Sequence, residues 1–165
     1  VVKFVNLVLE VKPAQVTLVP DAVDAITSNA GWDTVKNKEF LVEVISEFKK
    51  HGIRTSIFVD PDKKMIEGAA ETGTDRIELY TESFAEQFAA GDKENAVKPY
   101  AECAKLAHKL GLGINAGHDL SLDNIGFFKN QVPFVDEVSI GHALIAEALY
   151  LGLEETIARY LQKLQ

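Results

Sequence analysis

The sequence has little cysteine and no excess of positive charge. Cys103 is the single cysteine among 165 residues, so an internal disulfide is excluded, and we interpret this residue as a small buried side chain in a helix. The formal net charge of −8 repels nucleic acid and anionic membrane surfaces on average. We therefore expect neither a disulfide scaffold nor a nucleic-acid partner.

Long apolar runs and several familiar motifs are also missing. No stretch approaches the roughly 20 apolar residues that cross a bilayer, and the first four residues lack the charged leader and apolar core of an export signal. We therefore expect a cytoplasmic protein without a membrane partner. The sequence shows no Cys/His cluster with metal-ligand spacing, no nucleophile elbow and no Walker loop, so we expect no metal site.

What the sequence does contain is an alternation of two hydrophobic periods. Short runs of apolar and β-branched residues predict five strands, and apolar residues at 3.6-residue spacing predict at least six helices. The predicted strands are 15–19, 55–59, 76–80, 112–115 and 137–140. The predicted helices are 2–11, 40–48, 65–72, 95–110, 122–130, 143–151 and a terminal amphipathic helix, and residues 81–94 are predicted to form a loop.

Strict alternation of strand and helix in one domain, residues 1–165, indicates an α/β fold. A closed barrel and an open doubly wound sheet both fit this pattern, and no Gly-x-Gly-x-x-Gly follows the first strand to favour the second. Five strands cannot close a barrel that needs eight, and the chain opens inside a helical pattern. We therefore expect a (β/α)8 TIM barrel of which this chain supplies about strands 4 to 8.

Three strand-to-helix crossings carry the candidate chemistry, because active sites of such barrels lie at the carboxyl ends of the strands. Gly141 and His142 begin a helix where unpaired amides favour a phosphate, although a tight turn with a polar cap is the alternative. His118, with Asp119 beside it, offers an imidazole suited to proton transfer near neutral pH, although a loop histidine is usually structural. Glu78 lies in a strand, where it must be solvated, paired with Arg or Lys, or shifted in pKa.

Short motifs at these three crossings and in two earlier segments resemble the pyridoxine 5'-phosphate synthase family, in order and spacing, over essentially the whole chain. The motifs are Val11-Lys12-Pro13 to Leu18-Val19-Pro20, Ile26-Thr27-Ser28-Asn29, Arg76-Ile77-Glu78-Leu79-Tyr80-Thr81, Ile114-Asn115-Ala116-Gly117-His118 and Ile140-Gly141-His142-Ala143-Leu144. The resemblance implies a transferase of vitamin B6 biosynthesis. Such an enzyme condenses 1-deoxy-D-xylulose 5-phosphate with 3-amino-2-oxopropyl phosphate, gives pyridoxine 5'-phosphate, phosphate and water, and uses no metal or organic cofactor. We also expect a homo-oligomer.

The resemblance implies roles for individual residues. His118 would act as a proton donor, Glu78 would stabilise charge in the transition state, and Thr27 would contact the deoxyxylulose phosphate. Asp119 and the pair Gly141-His142 would hold the phosphate of the aminoketone. Asp119 departs from the family, since many members carry glycine there, and a contact through the backbone amide tolerates the change. The family's first three strands, with two proton acceptors, have no counterpart, so we expect these 165 residues to be catalytically incomplete alone.

Two other functions fit parts of the pattern. Another phosphate-binding TIM-barrel enzyme, similar to indole-glycerol-phosphate synthase or to an epimerase, would share the phosphate motif after the last strand. It would also use a lysine or paired acids at strand ends, which this sequence does not show clearly. A noncatalytic half-barrel that binds phosphorylated metabolites is the alternative from a different class of protein.

Overall fold

The computed structural model describes residues 2–21 and 26–165, and within them the chain alternates strands with helices. The strands are β1 (Gln15–Leu18), β2 (Arg54–Val59), β3 (Arg76–Tyr80), β4 (Gly113–Gly117) and β5 (Val135–Ser139). The helices are α1 (Val2–Val11), α2 (Lys38–Lys50), α3 (Lys63–Glu71), α4 (Glu82–Ala89), α5 (Lys93–Lys109), α6 (Ile125–Gln131), α7 (His142–Leu151) and α8 (Leu153–Lys163). The α/β class expected from the sequence is confirmed.

The five strands form one parallel sheet in the order β1-β2-β3-β4-β5. Sequential order is that of a (β/α)8 barrel, whereas a doubly wound sheet reverses its order at a switch point. The structure therefore contains five consecutive strand–helix units of the barrel type. An open sheet of the dinucleotide-binding type is excluded for the described residues.

The sheet is curled, and its inner face is polar. Thr17 in β1 donates a hydrogen bond to Glu78 in β3, and Arg54 in β2 forms a 2.6 Å ion pair with Glu137 in β5. Neighbouring strands lie about 4.8 Å apart, so a flat sheet would hold β2 and β5 too far apart for this contact. Because all the strands are parallel, their carboxyl ends lie on one side of this curled sheet.

The outer face of the sheet is apolar and forms the core with the helices. Ile57, Ile77 and Ile114 are fully buried at neighbouring register positions of β2, β3 and β4. Because side chains alternate across a strand, each lies next to a polar residue that points to the inner face. Burial of the outer face thus fixes which side chains the inner face presents.

The segment predicted as a loop at 81–94 contains a helix, α4, and that prediction was wrong. Phe84 is fully buried in α4, and its ring lies 5.0 Å from that of Phe128 in α6 and 6.0 Å from that of Tyr100 in α5. Aromatic packing against two later helices therefore stabilises a segment of only eight residues. Such contacts join residues far apart in the sequence, so the local hydrophobic period of residues 81–94 does not reveal them.

Two predicted helix starts also move in the structure. α3 begins at Lys63, two residues before the predicted start at 65, because the carboxylate of Asp62 caps it by accepting hydrogen bonds from the amides of Lys64 and Met65. α6 begins at Ile125 because 121–124 form a turn closed by Asn124. In the parts of the chain described, no helix combines the length and the apolarity needed to span a bilayer.

Candidate functional site

One cavity of about 500 Å³ opens at the carboxyl ends of the strands. It lies where the sequence analysis placed the site, and it brings together all six candidate residues. These are Thr27, Glu78, His118, Asp119, Gly141 and His142. The wall is completed by Thr17, Val19, Asp21, Ile26, Ser28, Phe58, Ser139 and Ile140. Residues from β1, β2, β3 and β5 and from the segments that follow β1, β4 and β5 therefore share one space.

Glu78 projects from β3 into this cavity and is 9% exposed, whereas its neighbours Ile77 and Leu79 are fully buried on the opposite face. Burial raises the pKa of the Glu78 carboxyl, and the hydrogen bond from Thr17 Oγ1 to Oε2, at 3.2 Å, partly offsets this effect. Of the three environments considered from the sequence, the structure shows a pKa shifted by burial.

No structural ion pair holds Glu78 among the described residues. Arg76, two residues earlier on the same strand, instead binds Asp136 Oδ2 at 2.9 Å and Asn115 Oδ1 at 3.0 Å. Arg76, the positively charged residue of β3, is therefore paired at the amino end of the sheet and not with Glu78. The Glu78 carboxylate remains available to the cavity.

Gly117 makes the space that Glu78 occupies. A Cβ atom at this position of β4 would lie 2.4 Å from Glu78 Oε1 and 3.0 Å from the Cβ of Ser139. Both distances are shorter than ordinary van der Waals contact, so a side chain at position 117 would displace the carboxylate. Gly117 belongs to the motif Ile114-Asn115-Ala116-Gly117-His118, but this function was not predicted from the sequence.

The turn after β4 holds His118 in an unusual backbone conformation. His118 has φ 86° and Asp119 has φ 55°, a region in which side chains other than glycine are uncommon. Thr81, fully buried at the end of β3, donates from its hydroxyl to the carbonyl of Gly117 at 2.8 Å and also contacts the carbonyl of His118. The same φ explains why glycine suits position 119.

Both ring nitrogens of His118 have polar neighbours. Nδ1 lies 2.8 Å from Asp119 Oδ2, and Nε2 lies 3.1 Å from Thr27 Oγ1. The ring also packs edge-on against Tyr80, with centroids 4.8 Å apart and an interplanar angle of 89°. The Tyr80 hydroxyl is itself held between two acceptors, the Ser28 carbonyl oxygen at 3.1 Å and the Glu82 carboxylate, to either of which it can donate its hydrogen. The imidazole is thereby restrained on three sides.

The amino end of α7 forms another part of the wall. Gly141 is the N-cap residue, and no side chain caps the ten-residue helix that begins at His142. A Cβ atom at Gly141 would meet nothing within 4 Å, so the backbone is open to approach from the cavity. The first amides of a helix lack intrahelical acceptors and carry the positive end of its dipole. This geometry suits an anion such as a phosphate.

The ionisable side chains of the described wall are acidic, apart from two histidines. Asp21, Glu78 and Asp119 line the cavity, and no lysine or arginine is among its described lining residues. From these residues, an anion would receive hydrogen bonds from the α7 amides and the imidazoles. Nowhere in 2–21 or 26–165 do three or more His, Cys, Asp or Glu side chains form a group that could hold a metal ion.

Several residues of the site were missed by the sequence analysis. Thr17, Phe58 and Ser139 line the cavity, and Tyr80 and Thr81 hold the His118 turn. The two-residue period of a strand was the available signal for Thr17 and Phe58, because it places them on the same face of the sheet as Glu78. For Tyr80 and Thr81 no local signal exists, since their contacts join segments about 37 residues apart.

Comparisons with known proteins give one consistent result. Residues 2–165 match the family model described as "Pyridoxal phosphate biosynthesis protein PdxJ". The chain is 76% identical over 163 residues to the pyridoxine 5'-phosphate synthase of Christiangramia forsetii, and 68% identical over 162 residues to that of Flavobacterium johnsoniae. These alignments cover 99% and 98% of this chain and 68% of each relative.

Solved structures of other proteins share the fold. The 3-keto-L-gulonate-6-phosphate decarboxylase of Vibrio cholerae superposes with a TM-score of 0.64 at 9% identity, over 98% of this chain and 65% of the other. A chain of the BexX/CysO complex of Amycolatopsis orientalis gives 0.57 at 14% identity, over 96% and 59%. At such low identity the likeness is one of fold alone. By its family match and by its identity to these relatives, the chain belongs to the family of the pyridoxal phosphate biosynthesis protein PdxJ.

Proposed function

We propose that this protein is a pyridoxine 5'-phosphate synthase, which condenses 1-deoxy-D-xylulose 5-phosphate with 3-amino-2-oxopropyl phosphate and releases phosphate and water. The observation that carries the proposal is the convergence of an imidazole, a buried carboxylate and a helix amino end on one 500 Å³ cavity. The names of the relatives support pyridoxine 5'-phosphate as the product. We extend the proposal to a cytoplasmic homo-oligomer that binds phosphorylated small molecules and neither nucleic acid nor membranes.

In this proposal His118 supplies protons and Glu78 stabilises positive charge. Loss of water from a carbon atom requires a proton on the departing hydroxyl, and an imidazole is the side chain best matched to that transfer near neutral pH. A buried carboxylate, such as that of Glu78, interacts more strongly than an exposed one with positive charge that develops on a reacting amine or imine. Both groups line the same cavity.

The substrate phosphates would lie against two parts of the wall. The aminoketone phosphate would accept hydrogen bonds from the first amides of α7, at Gly141 and His142, and from the backbone amide of residue 119. The hydroxyl of Thr27, which is 3.1 Å from His118 Nε2, would contact the deoxyxylulose phosphate. This arrangement supports a reacting centre between His118 and Glu78.

The proposal is tested by steady-state formation of pyridoxine 5'-phosphate from the two substrates in the full-length protein. His118→Asn removes the titrating ring, and asparagine tolerates positive φ, so the fold should be retained. We expect kcat to fall by about 10² to 10⁴-fold with substrate affinity largely kept. Glu78→Gln should also lower kcat, through lost electrostatic stabilisation of the transition state.

The matched control is His51→Asn. His51 is the C-cap residue of α2 and is not part of the cavity wall, so its replacement should leave kcat unchanged. Thermal melting of each variant checks the fold. Absence of product with the wild-type protein, or wild-type turnover by His118→Asn, would show the assignment to be wrong.

A further inference from the structure

The two ring nitrogens of His118 have chemically different neighbours. Nδ1 faces a carboxylate oxygen of Asp119 at 2.8 Å, and an ionised carboxylate can only accept hydrogen bonds. Nε2 faces the hydroxyl of Thr27 at 3.1 Å, and a hydroxyl can donate or accept. In the neutral ring both contacts are hydrogen bonds when Nδ1 carries the hydrogen and donates it to Asp119, while the Thr27 hydroxyl donates to Nε2.

The turn keeps this arrangement in place. Asp119 follows His118 directly, so the contact depends on the two consecutive positive φ values. Thr81 anchors that turn through the carbonyls of Gly117 and His118, and Tyr80 packs edge-on against the ring. The His118 side chain is 16% exposed, so solvent does not replace these contacts.

We propose that Asp119 is a positioning residue that holds His118 in the tautomer with hydrogen on Nδ1, which leaves Nε2 as the nitrogen that exchanges protons in the cavity. When the protonated ring gives its Nε2 proton to a departing hydroxyl, the electron pair of that N–H bond stays on Nε2. The remaining neutral ring is then the tautomer whose hydrogen Asp119 accepts. For its effect on turnover this inference rests on the proposed function, whereas the tautomer is a property of the protein alone.

The proposal also gives the Asp119 carboxylate a function that is separate from phosphate binding. A carboxylate free in the cavity would repel a phosphate, whereas one that binds an imidazole N–H is directed to the ring. The backbone amide of residue 119 stays a candidate for the phosphate. The carboxylate and the amide of one residue would thus serve two different groups.

The tautomer can be measured directly by ¹⁵N NMR of histidine-labelled protein. The sequence contains four histidines, so four sets of ring signals are expected, and His118→Asn identifies one of them. At a pH at which the ring is neutral, the wild-type spectrum should show the Nδ1–H tautomer of His118. Asp119→Gly should shift it towards Nε2–H, the form that free histidine favours in water, and glycine fits the positive φ of position 119.

The control for charge is Asp123→Asn, which removes an exposed carboxylate of the same loop region and should leave the tautomer unchanged. If Asp119→Gly does not fold, the same measurement is made on Asp119→Asn, whose uncharged amide can donate to Nδ1 as well as accept from it, so the preference for hydrogen on Nδ1 should weaken. A wild-type ring with hydrogen on Nε2, or an unchanged Nδ1–H tautomer in the variant, would overturn the proposal.

Kinetics of the same variants test the consequence for the reaction. Asp119→Gly should lower kcat by about 10 to 10²-fold with KM little changed, because a misoriented imidazole affects proton transfer more than substrate binding. A shifted tautomer with unchanged kcat would overturn the positioning function. If the wild-type protein forms no pyridoxine 5'-phosphate, the proposed function fails while the tautomer measurement still stands.

Discussion

Substitution of Gly117 by alanine would test how closely the cavity fits Glu78. The new methyl group would lie 2.4 Å from Glu78 Oε1, so the carboxylate must move by about 1 Å to reach ordinary van der Waals contact. The obstructed atom is the far end of a flexible side chain, so the fold can adjust. Its shift would weaken the hydrogen bond from Thr17, and a hydrogen bond to a charged group typically contributes about 1.5 to 3 kcal/mol.

A displacement of about 1 Å at a reacting centre can reduce the rate about 10²-fold. We therefore expect Gly117→Ala to lower kcat by about that factor, with unfolding free energy reduced by about 1 to 3 kcal/mol. The assays are steady-state formation of pyridoxine 5'-phosphate and urea denaturation. Both are compared at the same temperature and buffer.

Gly113→Ala is the matched control at the other end of β4. Its Cβ atom would lie 2.9 Å from the Cγ of Arg76, so it also displaces a flexible charged side chain, but one that is not part of the cavity wall. A comparable loss of stability with unchanged kcat is expected. Equal losses of kcat in the two variants, or none in Gly117→Ala, would refute the reasoning that Gly117 positions Glu78.

The remaining predictions concern the helix amino end and the pH dependence of stability. Gly141→Val should weaken the binding of inorganic phosphate or phosphorylated substrate without lowering the melting temperature. The reason is that the valine side chain would enter open space in front of the α7 amides. Unchanged affinity by calorimetry would contradict this. Burial raises the pKa of Glu78 in the folded state, so burying its ionised carboxylate lowers the free energy of unfolding. This loss of stability is absent below the unfolded-state pKa and grows as pH rises through the folded-state pKa. Glu78→Gln should therefore raise the melting temperature at pH 7 and not below about pH 4; an equal rise at both would show that charge burial is not the cause.

Much of the fold follows from local pattern. The strand Arg76–Tyr80 and the helix Val2–Val11 have the predicted bounds, because a short apolar run and a regular helical period are both local signals. Other strands shift by one or two residues: β4 extends to Gly117 and β5 begins at Val135. The ends of a strand are set by its pairing with the neighbouring strand. The sequence of one strand alone does not show where that pairing stops.

The candidate site was predictable in position and less so in detail. The rule that parallel strands present their carboxyl ends on one side was sufficient to bring Glu78 and His118 into one cavity. The hydrogen bond between Thr17 and Glu78 spans 61 residues, and the clearance at Gly117 depends on the curl of the sheet. Such distances arise from tertiary packing, so spacing along the chain does not reveal them.

The polar inner face has a physical consequence for how the site is interpreted. The apolar core lies on the outer face, where Ile77 and Leu79 flank Glu78 and are fully buried, so core packing does not require a carboxylate between them. A raised pKa and two consecutive positive φ values at His118 and Asp119 both disfavour the folded state. These unfavourable features meet in one cavity, although positive φ values also occur at Lys12 and Phe134, and perturbed groups gathered in a cleft are typical of a site shaped for chemistry. Core side chains and cavity side chains alternate along the same strands. Packing of the helices on the outer face therefore stabilises the strands that hold these unfavourable groups in the cavity.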